Sequence, residues 1–146
     1  MRIDLELKRS LDFEALDKGH HFNIHRVYAR VRFFEGKVWG EEKLAIVDTG
    51  SPYSVLPFHF WQNIQKKLLF QTKIHGIVPS PDAHLKATLS LVEGVFVDNR
   101  SVSKRFKFPA LLADSPHVPI ILGFAHLLEE VKLLINFPDS KAHLEF

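Results

Sequence analysis

The chain has 146 residues, of which 46% are hydrophobic and 25% charged, and its formal net charge is +2 with histidine neutral. That is one domain's worth of sequence with enough apolar material for a core, which argues against wholesale disorder, and the charge is too small to argue for a nucleic-acid partner. There is no cysteine, so a disulfide frame, a thiolate nucleophile and a Cys-based zinc site are all excluded.

Residues 2–8 alternate strictly, Ile3, Leu5 and Leu7 against Asp4, Glu6 and Lys8, which predicts a strand with one buried face. An N-terminus with charge at every second residue reads as neither a signal peptide nor a membrane helix, and no later run is long enough to span a bilayer. The expectation is a cytoplasmic protein with no membrane partner. Residues 10–22 read as a connection or a short helical turn. His20, His21 and His25 form the His cluster, but spacing and partners read as loop histidines, so no metal is expected. From Arg26 the alternation returns, with Val27, Ala29, Val31 and Phe33 on one side. Glu35-Gly36-Lys37 is read as the turn into a return strand beginning at Val38-Trp39.

The run Ala45-Ile46-Val47 has the length and β-branched content of a buried strand, and it stops at Asp48-Thr49-Gly50-Ser51. A carboxylate at that point is costly unless bonded or paired, and Gly50 reads as a residue freed for an unusual backbone conformation. The simplest use of Asp48 is to close a turn onto the amides that follow. Phe58, Trp61, Ile64 and Leu68 recur at near-helical spacing, predicting a helix over 58–68. Residues 74–97 read as two strands joined by the polar tip Pro79-Ser80-Pro81-Asp82. The patch Lys104-Arg105-Phe106-Lys107-Phe108 mixes bases with aromatics as single-strand binders do, but its period of two fits a strand with one wet face better. Phe124, Leu127, Leu128 and Val131 predict a short helix after Gly123, and 133–137 and 142–146 predict two closing strands. A single, mostly β domain over 1–146 with two short helices follows, and a closed or partly closed barrel manages that many short strands.

The combination of these pieces resembles the retropepsin-like aspartic proteases, the single-domain family that includes the retroviral enzymes. The residues that carry the resemblance are Ala45 to Ser51 followed by Val55-Leu56-Pro57, then Ile120-Ile121-Leu122-Gly123 followed by Leu127-Leu128. It spans 27–146 and leaves residues 1–25 outside as an N-terminal extension. It implies a retropepsin-like closed β-barrel, the acid protease fold, with a flap hairpin and a short helix near the C-terminus. Such enzymes need two copies of the aspartate, and this chain has one Asp-Thr-Gly. The implied enzyme is therefore a homodimeric aspartic endopeptidase with Asp48 from each subunit, acting on a peptide or unfolded protein substrate without metal or cofactor.

Two carboxylates a few ångströms apart cannot both ionise, so they share a proton; one activates a water and the other protonates the peptide carbonyl. The resemblance assigns supporting roles as well. Thr49 would bond across the dimer, Gly50 would permit the turn and offer a backbone donor, and Ser51 would donate to the outer oxygen of Asp48. Ile121 and Gly123 would support the turn from beneath, and Ile77, Val78 and Pro79 near the flap tip would touch substrate. On that assignment Ser51→Ala would move activity toward higher pH. The reading from a different class is the same fold used as a peptide-binding or dimerisation module without useful hydrolysis. A serine hydrolase built on Ser51 or Ser54 lacks the Gly-x-Ser-x-Gly elbow.

Overall fold

A computed structural model describes residues 1–74 and 85–146 of the chain. The alternating segments all become strands. The first, β1 (Arg2–Leu11), runs through a short helix α1 (Phe13–Asp17) into β2 (Asn23–Phe33), and β3 (Lys43–Val47) leads to Asp48. Next come β4 (Ser54–Leu56), α2 (Phe58–Trp61), β5 (Lys66–Ile74), β6 (Leu85–Val97), β7 (Phe106–Ala113) and β8 (Ile121–Leu122). A 3-10 turn (Leu128–Glu130), β9 (Lys132–Asn136) and β10 (Lys141–Glu145) complete the chain. Among the described residues, no helix is long and apolar enough to cross a membrane.

The strands form one sheet in the order β5-β6-β7-β4-β8-β3-β2-β1-β10-β9, and a further β6–β2 pairing brings the sheet back onto itself. Its core is the inward face of those strands. Ala29, Val31 and Phe33 from β2 meet Phe96, Phe106, Phe108, Leu112 and Leu122. Edge-on aromatic pairs, Phe33 with Phe60 at 5.2 Å and Phe96 with Phe106 at 5.6 Å, fill the volume with favourable ring geometry. The N-terminal extension folds back within its own chain. Residues 2–5 of β1 pair with β10, and residues 6–11 pair with β2.

Three local expectations differ from what is found. Helix 58–68 is only α2, because Gln65 donates its N–H to the Phe34 carbonyl at 2.8 Å and turns the chain into β5. The long β5–β6 ladder then outweighs a helical spacing that local propensity alone would favour. The return strand at Val38-Trp39 is a single bridge, Phe34 with Trp39, around Gly36 at φ 97°. The helix after Gly123 breaks into turns and the 3-10 segment, since His126 takes φ 55° and Leu127 leaves helical geometry, yet Leu127 and Leu128 still enter the core. The patch at 104–108 is structural: Phe106 and Phe108 are buried, while Lys104 and Arg105 pair with Glu130 and Glu93.

Candidate active site

β3 is held on both sides. It runs antiparallel to β2 and parallel to β8, with Ile46 opposite Ile121 and Val47 opposite Leu122. Asp48 donates its N–H to the Leu122 carbonyl at 3.0 Å, so its backbone is fixed by the last rung of the ladder. Its half-buried carboxylate then accepts the Gly50 N–H at 2.9 Å, and its carbonyl accepts from Ser51 N–H at 3.2 Å. A buried strand thus delivers one carboxylate to the surface in a fixed orientation, as the apolar run ending in an acid implied. Thr49 and Gly50 are exposed at the tip of the turn.

The supporting layer lies beneath. β4 threads beside β8, with Val55 opposite Ile121, and on its other side lies parallel to β7. Gly123 donates its N–H to the hydroxyl of buried Ser54 at 3.0 Å. The next amides, Phe124 and Ala125, donate to the carbonyls of Ser51 and Pro52, both at 2.9 Å. Segments 51–54 and 123–125 are therefore laced together directly under the Asp48 turn, with Ile121 and Gly123 both in that layer. A Cβ on Gly123 would lie 2.7 Å from the Ser51 carbonyl oxygen and closer still to that of Tyr53, so glycine is required there by close backbone approach.

Two roles differ from the sequence reading. Gly50 does not use a positive φ, but it is the backbone donor expected of it: its N–H goes to Asp48, and a Cβ there would lie 3.3 Å from Oδ1. The Ser51 hydroxyl donates not to Asp48 but to the Tyr53 carbonyl at 2.6 Å, an acceptor two residues on that the bend at Pro52-Tyr53 brings within reach. Ser54 was not singled out as support, and its signal was a hydroxyl inside the otherwise apolar run that leads to Leu56. Ile77, Val78 and Pro79 fall outside the described residues.

A cavity of about 570 Å³ opens beside Asp48. The 48–53 turn forms one wall and the first arm of the β5–β6 hairpin, through Phe70, Thr72 and Ile74, forms another. Val55, Leu89, Leu111 and Ile121 make its floor apolar. A larger hollow of about 700 Å³ between Trp39, Phe60, Ile64 and Pro119 does not include Asp48. Of the histidines, His20 stacks on Phe22 and His25 sits edge-on to Phe137.

In comparisons with known proteins, no family model and no curated protein matches the chain. One carboxylate, oriented by an amide and open to an apolar groove wide enough for side chains, can take a proton from a water or hold a polar group of a ligand. It cannot simultaneously accept one proton and donate another.

Proposed function

We propose that the protein is a homodimeric aspartic endopeptidase of retropepsin type, in which Asp48 of each subunit supplies half of a carboxylate dyad. The single observation that carries this reading is the placement of Asp48. It ends a central strand, is braced by the Gly50 N–H, and rests on a layer in which Gly123 admits no side chain. A plain turn would use the Gly50 bond as well; what adds to it here is the close-packed layer at Gly123 and the apolar cavity beside the carboxylate. The strand ring closed by β6 on β2 is compatible with a retropepsin barrel, and the pairing of β5 with β6 beside the cavity supports reading these strands as the arms of a flap.

In the dimer the two carboxylates share one proton. The ionised Asp48 draws a proton from a water held between them, and that water attacks the peptide carbonyl. The protonated Asp48 donates to the carbonyl oxygen as charge develops on it. The proton taken from the water is then available to the departing amine, so the hydrolysis balances without a covalent intermediate. Val55, Phe70, Ile74 and Leu111 suit bulky apolar side chains of an extended peptide.

Subunit mixing tests the shared site. Asp48→Asn chains titrated into wild type should lower activity beyond simple dilution, because every mixed dimer lacks one carboxylate. Activity that falls only in proportion to the wild-type fraction would show that each chain works alone and refute the dyad. The binding-module reading draws on one observation, that Asp48 already has a turn-closing bond to Gly50 N–H. It predicts peptide binding that Asp48→Asn leaves intact and no cleavage by either protein.

A further inference from the structure

The hairpin formed by the outer halves of β1 and β2 stands in a defined relation to Asp48. The β2–β3 register sets Tyr28 opposite Ile46, and continued along β2 it places Asp48 at the level of Arg26. The β1–β2 register places Lys8 at that same level, and the two strands pair onward to Leu11 opposite Asn23. At a strand rise of about 3.3 Å per residue, this arm overshoots the Asp48 level by roughly 10 Å before α1 caps it. A second Asp48 brought within a few ångströms must approach this same end of β3, where Thr49 and Gly50 are exposed. The arm then has to run alongside the partner.

Its surface is built for contact. Phe13 is 69% exposed, Phe22 60%, and Phe137, edge-on to His25 of the arm, 49%. At about 200 Å² per aromatic side chain, these rings leave roughly 350 Å² of apolar surface in water. Leu16 and Ile24, both also exposed on the arm, bring the total to roughly 500 Å². A standard interface buries about 800 Å² per partner, a little over half of it apolar. The arm together with the adjoining Phe137 therefore carries about the apolar share of one side of a stable interface, at the end of the sheet where the half-site is open.

We infer that the β1–β2 arm is a dimerisation arm that packs its apolar tip on a second copy of this chain and so completes the Asp48 half-site; the inference rests on the dyad reading for its choice of partner. The test is the oligomeric state of the full chain by sedimentation equilibrium. Wild type should be dimeric, and Phe13→Glu/Phe22→Glu should weaken the dimer by at least about a hundredfold. Both residues are exposed, so the variant should keep the wild-type far-ultraviolet spectrum and unfolding midpoint; Phe22→Ser alone is the milder second variant and should weaken the dimer in the same direction. Leu68→Glu, at an exposed position of edge strand β5 outside the arm, should leave the dimer unchanged.

A wild type that is monomeric at all concentrations, or a folded arm variant with wild-type dimer affinity, overturns the inference. So does dissociation by Leu68→Glu with the arm variants dimeric. The outcomes separate from those of the protease reading. An arm-dependent dimer without Asp48-dependent cleavage keeps the arm and loses the enzyme, whereas Asp48-dependent cleavage by an arm-independent dimer does the reverse.

Discussion

Replacing Gly123 by alanine is the sharpest probe of how the Asp48 turn is held. The added Cβ would lie 2.7 Å from the Ser51 carbonyl oxygen and nearer to the Tyr53 carbonyl, and both obstacles are backbone, which cannot rotate away. Relief requires segment 51–54 to separate from 123–125. That movement strains the Gly123-to-Ser54 hydrogen bond and the two amide-to-carbonyl bonds from Phe124 and Ala125. Overpacking of a tight site costs about 1–3 kcal/mol, and each weakened hydrogen bond adds up to about 1 kcal/mol. The expected loss is at least about 3 kcal/mol, or roughly 6–12 °C in unfolding midpoint for a chain near 150 residues. Thermal unfolding followed by circular dichroism measures it, with peptide cleavage assayed below the variant's midpoint. Activity should fall more than the folded fraction does, since displacing residues 51–54 moves Asp48. A midpoint within about 2 °C of wild type, with cleavage retained, would refute the argument that this layer braces the carboxylate.

Two further substitutions probe single bonds. Ser51→Ala removes the hydroxyl bonded to the Tyr53 carbonyl and should cost about 1 kcal/mol of stability. Because that hydroxyl does not reach Asp48, the pH profile of cleavage should stay in place. A shift of the acidic limb to higher pH would restore the role first expected of Ser51 and contradict the geometry. Asp98 accepts the N–H of Asp4, then those of Arg100 and Ser101, and its carboxyl is held below its ordinary value of 3.8, chiefly by the bond from Asp4 with Arg100 nearby. A depressed carboxyl contributes stability that is present above 3.8 and lost as pH falls through the lower folded-state value. Asp98→Asn should therefore be less stable than wild type at neutral pH, with the gap narrowing in strongly acidic solution. A gap that widens on acidification would reverse the sign.

The sequence was most informative where alternation and burial coincide. In β7, Phe106 and Phe108 are buried and Lys107 exposed, as the period of two in that patch implied. The strand into Asp48 was equally legible, since a β-branched run has few uses other than a buried strand. What local pattern could not reveal were features decided by distant partners. Ile64 continues the helical spacing of Phe58 and Trp61, but the carbonyl of Phe34 captures the next amide and ends the helix. The value of Ser54 depends on Gly123, far along the chain, and the Ser51 hydroxyl goes to whichever acceptor the bend at Pro52-Tyr53 presents. The fold-back of β1 onto β10 likewise joins the two ends of the chain, which no window of neighbouring residues contains.

The central claim is that Asp48 is a catalytic carboxylate. Its most direct test is cleavage of a diverse peptide library by purified dimer from acidic to neutral pH, with Asp48→Asn in parallel. The account predicts cuts by wild type, flanked by apolar residues, that vanish in the variant while its dimer and unfolding midpoint are preserved. Identical digests from the two proteins, or no cuts from a folded wild-type dimer, would contradict it.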